Sequence, residues 1–141
     1  MTRRGLLTVT GVGVGVAWLF SKKAPSPPKV TIGSLFYASR VYASETQEIT
    51  FRIYNRGTSP VTVYGTVWLK NVYQAHLNFA RLTPERLIIE GQYVSETVRF
   101  NPTDFEFSWP KGTYRILIEV FQKGNRTPIA VNESVGTIEV V

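Results

Sequence analysis

His76 and Asp104 are the single histidine and the single aspartate of this 141-residue chain, and it has no cysteine. That inventory limits the chemistry. A nucleophile–histidine–acid triad, a histidine or thiolate metal site and an EF-hand loop each need more of these groups than the sequence holds. Carboxylate pairs of the glycosidase kind could be drawn only from residues such as Glu85, Glu90, Glu96 and Glu106, whose spacing puts them on polar faces and turns. His76 falls in a polar loop. Gly11, Gly13 and Gly15 imitate part of a dinucleotide-binding loop but lie inside an apolar run with no strand before them. The expectation is a protein that is not an enzyme and takes no cofactor, metal or small-molecule substrate.

Two residue patterns suit binding or modification instead. Tyr64 and Trp68 share one side of an alternating run with Thr62 and Thr66, opposite Val61, Val63, Val67 and Leu69, and Tyr54 and Tyr93 are expected beside them. Aromatic rings on the outer face of a sheet can stack on a sugar or on an apolar patch of a partner. The sequence places the candidate interaction surface at Tyr64, Trp68 and Tyr93. Asn125-Arg126-Thr127 and Asn132-Glu133-Ser134 are glycosylation sequons, with Asn125 and Asn132 as the acceptors and Pro128 disfavouring the first.

The net charge of +6 does not belong to the part that folds. Arg3, Arg4, Lys22, Lys23 and Lys29 precede residue 30 with no acid among them, and the remainder balances eleven basic residues against ten acidic ones. A nearly neutral domain lacks the cationic stripe that phosphates require, so nucleic acid is not an expected partner.

The elements that must position these residues begin with an apolar stretch from Gly5 to Ser21, bracketed by Arg3-Arg4 and Lys22-Lys23. As a helix at about 1.5 Å per residue it reaches about 25 Å, enough to span a bilayer core if the flanking basic side chains snorkel. Pro25, Pro27 and Pro28 then deny helical hydrogen bonds and favour an extended, semi-rigid path. The expected organisation is an anchor over residues 1–23, a proline-rich linker over 24–29 and one domain over 30–141.

Thr2-Arg3-Arg4-Gly5-Leu6-Leu7, followed by a Gly- and Thr-diluted apolar run and two lysines, resembles a twin-arginine export signal. The resemblance assigns the export motif to Thr2, Arg3, Arg4, Leu6 and Leu7. No Ala-x-Ala motif precedes a cleavage point, which favours an uncleaved anchor. Arg4-Gly5 before a hydrophobic helix is also similar to the start of archaeal pilins, although the apolar run here is shorter than theirs.

From Val30 onward, β-forming runs alternate with turn residues at the spacing of a sandwich. Strands are expected at Val30 to Tyr37, Thr46 to Tyr54, Val61 to Lys70, within Asn71 to Glu90 (where a short helix would also fit the brief pattern), at Gln92 to Phe100, after Gly112 and from Pro128 to Val141, the last with a bulge at Gly136. Trp109-Pro110-Lys111-Gly112-Thr113-Tyr114 has the form of a tyrosine corner. FRIYNRGTSPVTVYGTVWL, GQYVSETVRFNP and KGTYRILIEV together resemble the adhesion-type immunoglobulin-like domains of prokaryotic surfaces. The expected fold is all-β, an immunoglobulin-like Greek-key β-sandwich of about seven strands preceded by one short N-terminal hydrophobic helix.

The combined expectation is a single-pass cell-membrane protein whose domain faces outside the cytoplasm. Its partners would be the membrane and another envelope protein or membrane complex, with a homo-oligomer also open. The alternatives are a pilin-like subunit of a surface filament and an accessory subunit of an exported redox enzyme.

Overall fold

The structure is a computed structural model, and it describes residues 27–102 and 110–141. The expected anchor helix, most of the linker and the stretch around Phe105, Phe107 and Trp109 lie outside the described residues. Among the described residues, nine strands form two packed sheets: β1 (Val30–Phe36), β2 (Arg40–Val41), β3 (Gln47–Asn55), β4 (Val61–Asn71), β5 (Asn78–Leu82), β6 (Arg86–Ile88), β7 (Tyr93–Phe100), β8 (Gly112–Gln122) and β9 (Ala130–Val140). One sheet has the order β1-β3-β7; the other runs β2-β9-β8-β4-β5, with β6 also paired to β4. The chain crosses to β2 and back after β1, then changes sheets between β3 and β4, between β6 and β7 and between β7 and β8, a Greek-key path. It matches an immunoglobulin-like sandwich, as expected.

Alternation explains why these segments are strands. On β4 every second residue is buried, and Val61, Val63, Val67 and Leu69 enter the core while Thr62, Tyr64, Thr66 and Trp68 face out. Ile49, Phe51 and Ile53 of β3 and Ile116, Ile118 and Val120 of β8 do the same, each fully buried. A side chain of this size contributes about 1.5–3 kcal/mol when removed from water, so the facing rows supply most of the driving force. Gly65 keeps the alternation without a side chain: its backbone N–H donates to Thr83 Oγ1 at 2.7 Å, and the Phe51 ring packs close by, 3.7 Å from where a β-carbon would stand.

Polar residues close the ends of the sandwich. Asn55 is buried; its side-chain amide donates to the carbonyls of Ser59 and Ile88, and its Oδ1 accepts from the N–H of Gly57. That single residue fixes the β3–β4 turn and ties it to the end of β6. The tyrosine corner forms as the sequence predicts: Tyr114 is fully buried and its hydroxyl donates to the carbonyl of Pro110 at 2.6 Å. Gly112 adopts a φ of 146°, and a β-carbon there would meet Asn71 Nδ2 at 2.7 Å, so only glycine fits.

The middle region resolves into two short strands, and the residues Gln74–Leu77 before them form a turn. The strand count exceeds the expected seven because β2 and β6 are only two and three residues long. Runs that brief carry no legible periodicity; β2 is held by parallel pairing with the end of β9, a contact made far along the chain. The bulge expected at Gly136 falls within the register shift between Glu133 and Thr137.

Candidate interaction surfaces

The expected aromatic surface divides between opposite faces of the sandwich. Tyr64 and Trp68 project from β4, on the outer face of the six-stranded sheet. Tyr93 stands on β7 in the three-stranded sheet, paired in register with Tyr54. The expectation that Tyr54 and Tyr93 sit beside Tyr64 and Trp68 is therefore corrected. The physical reason is the Greek-key crossover: β3 and β4 adjoin in sequence but enter different sheets, so their outward residues point away from one another.

On the six-stranded sheet, Tyr64 stacks on Phe121 with ring centroids 5.3 Å apart and planes 14° from parallel. One step along the ladder Thr66 lies opposite Leu82 and Glu119, and at the next step Trp68 lies opposite Ala80 and Leu117. Leu87, opposite Thr62, and Val131, opposite Glu119, extend the face to both sides. Leu82 is 69% exposed, Leu87 65% and Val131 60%. The face thus carries aromatic and aliphatic side chains on either side of a polar row in which Thr66 Oγ1 lies within 3.4 Å of Glu119 Oε1, with Lys70, Arg115 and Glu133 toward one end.

On the three-stranded sheet, Tyr54 and Tyr93 tilt against each other at 5.4 Å, the Arg52 guanidinium lies 4.3 Å above the Tyr93 ring and that of Arg56 lies 4.5 Å above Tyr54. A bulge in β1 makes the arrangement possible. Ser34 takes a positive φ of 51° and sets its hydroxyl 3.2 Å from the Tyr54 hydroxyl, while Gly33 leaves room for the ring. The hydrogen bond from Ser34, and then that from Arg52, pull the Tyr54 phenol below its ordinary value. Arg56 Nε also donates to Thr31 Oγ1, and its backbone N–H donates to the carbonyl of Lys29. Sequence reasoning did not single out these arginines. Their signal is the spacing Arg52, Tyr54, Arg56, which puts two cations and a ring on one side of β3.

Among the remaining sites, Asn125 is exposed in the β8–β9 turn, with its amide within 3.4 Å of Gln122 Oε1. Asn132 sits within β9, half-buried and in register with Ile118. His76 is exposed in the turn before β5. Glu96 is the exception among the glutamates: it turns inward, buried, and binds Arg86 of the other sheet through two contacts of 3.1 and 3.3 Å. The export-motif residues Thr2, Arg3, Arg4, Leu6 and Leu7 lie outside the described residues. Among the described residues, no group of three or more histidines and acids could hold a metal, and no helix is long and apolar enough to cross a membrane.

No family model and no curated protein sequence matches this chain. Solved structures do resemble it in shape. The CARDB domain of the PF1109 protein of Pyrococcus furiosus, solved in complex with di-metal ions, superimposes with a TM-score of 0.51 at 15% identity, covering 86% of this chain and 95% of that one. The β-glucosidase EmGH1 of Erythrobacter marinus gives 0.59 at 13% identity over 87% of this chain. A Listeria innocua β-glucosidase bound to isofagomine gives 0.58 at 13% over 84%. This chain spans only 18% and 17% of those two enzymes. At such identities the likeness establishes the immunoglobulin-like β-sandwich fold and nothing finer.

Proposed function

We propose that this protein is a non-catalytic interaction module. Residues 1–23 hold it at the cell membrane, residues 24–29 act as a stalk, and the sandwich outside the cytoplasm docks on another envelope protein or membrane complex. One observation carries the reading: the outer face of the six-stranded sheet gathers Leu87, Tyr64, Phe121, Leu82, Trp68 and Leu117 around the polar pair Thr66 and Glu119. Aromatic rings with exposed aliphatic neighbours and a few polar groups among them are the side chains that anchor protein interfaces. The scarcity of histidine, aspartate and cysteine supports a binding rather than a catalytic role.

The test has two arms in native membranes solubilised with mild detergent. Deleting residues 1–23 is expected to release the domain from washed membranes; continued binding would reject the anchor. Tyr64→Ser with Trp68→Ser is expected to lose whichever proteins co-purify with the wild type while keeping the same unfolding midpoint, and an unchanged set of partners would reject the surface. A filament subunit is the second reading, favoured by Arg4-Gly5 before the apolar run. It predicts sedimentable filaments and a mature chain that begins at Leu6 by intact mass.

A further inference from the structure

The outer face of the three-stranded sheet differs from the opposite face in kind. Its rows read Thr31–Tyr54–Tyr93, Gly33–Arg52–Ser95, Phe36–Thr50–Thr97 and Glu48–Arg99. Among the described residues of these rows the one acid, Glu48, is already bound to Arg99 at 2.7 Å. Arg52 and Arg56 have no carboxylate partner among the described residues, whereas Arg86, Arg99 and Lys123 each have one. The two guanidiniums lie over tyrosine rings and each is also hydrogen-bonded to a hydroxyl, Arg52 to Tyr54 and Arg56 to Thr31, so they are held in place while their charge is not neutralised. Phe36, 71% exposed, stands further along the same face.

Position adds to composition. Arg56 is hydrogen-bonded to Lys29 and Thr31, where the chain enters the domain from its amino-terminal side. Six residues of extended, proline-rich stalk reach about 19 Å at about 3.1 Å per residue, so a stalk rooted in a bilayer keeps this corner close to the headgroups. Arginine and tyrosine together with an exposed apolar ring are the side chains that favour a membrane–water boundary, and the cations are attracted to anionic headgroups.

We infer that this face, with Arg52 and Arg56 at its centre, lies against the anionic phospholipid surface of the membrane from which the domain is tethered. The inference rests on the anchored reading above, and it would turn the outer face of the six-stranded sheet away from the bilayer toward a partner. Occupancy by an anionic polysaccharide is the competing outcome.

The experiment uses the full chain, which has no cysteine, carrying either Ser95→Cys on this face or Val131→Cys on the other, each labelled with a fluorophore. Protein is mixed with phosphatidylcholine vesicles, with or without phosphatidylglycerol, containing spin-labelled headgroups. Flotation with plain phosphatidylcholine reports the anchor; quenching reports the face. The expected result is anionic-lipid-dependent quenching at position 95 at least fivefold greater than at 131, abolished by 0.5 M salt and by Arg52→Gln with Arg56→Gln. Flotation on both vesicle types with equal quenching at the two positions would overturn the inference while leaving the anchor intact. Flotation only on anionic vesicles, lost in the double variant, would support the inference and reject the anchor. Binding to neither vesicle would reject both. Retention of the wild type, but not the double variant, on a sulfated-polysaccharide column without any lipid response would assign the face to a polysaccharide and overturn the lipid reading.

Discussion

Tyr114 and Tyr54 show how differently one residue type is used. Tyr114 is fully buried and gives its hydroxyl to Pro110, so Tyr114→Phe should remove one buried hydrogen bond and leave a carbonyl short of a donor. The expected loss is about 1–2 kcal/mol, seen as a lower midpoint in urea unfolding. Tyr54 lies on the surface, where the hydrogen bonds of Ser34 and Arg52 favour its ionised form. It should therefore titrate below the ordinary tyrosine value in an ultraviolet pH titration, and Tyr54→Phe should delete that step. A lowered folded value means that ionisation adds stability above the unfolded tyrosine pKa of about 10, and that this gain is lost as the pH falls through the folded value. Wild type should accordingly resist unfolding better at high pH than Tyr54→Phe, with the difference vanishing near neutrality. The sequence announced Tyr114, because a Pro/Gly turn two residues before a strand tyrosine is a local pattern. It could not announce the Tyr54 cluster in full, because Ser34 reaches Tyr54 only through a β1 bulge and a strand pairing formed at a distance.

At the scale of elements, β7 is an outer strand of its sheet among the described residues, where it pairs with β3 alone. Such an edge invites another chain unless it is blunted. Arg81 Nε donates to the carbonyl of Arg99 across the gap, and Glu96 turns its charge inward to meet Arg86. Both devices come from β5 and β6 of the facing sheet, so they also clamp the two layers together. Arg86→Ala leaves the Glu96 carboxylate nearly buried without its cation and should lower the midpoint of urea unfolding, by less than the loss of a fully buried pair would because Arg86 is 47% exposed. Replacing the pair together by Arg86→Met and Glu96→Leu should restore most of that loss, but the variant should self-associate in sedimentation velocity runs because the edge has lost its guard. The long strands β3, β4 and β8 were legible from alternation. The short ones were not, since two or three residues cannot display a period, and their placement follows from pairings with β9 and β4.

For the whole molecule, the core is drawn from Val30 to Val140. Removing residues 1–26 should therefore shift the thermal midpoint by less than about 2 °C in calorimetry, a sign that the sandwich folds without what precedes it. Its two broad faces carry different chemistry: one rich in apolar and aromatic side chains around the Thr66–Glu119 pair, the other basic with rings beneath the cations. The fold class was readable because alternation and turn residues suffice to define two sheets. The division of the aromatics between them was not, because it depends on which sheet each strand joins after a crossover.

The first strand has a mechanical consequence. β1 runs antiparallel to β3 from Val30, beside Asn55, to Phe36, and the chain then crosses to the other sheet, where β2 lies parallel to the end of β9. A pull on the amino-terminal side of Val30 is directed along the strand, so the β1–β3 hydrogen bonds are sheared together instead of being peeled one by one. Beyond them, β2 and β9 would also be loaded in shear if tension passed through to the carboxyl terminus. A domain strung between a tether and a bound partner is thus gripped, at the point where force enters, in its more resistant direction.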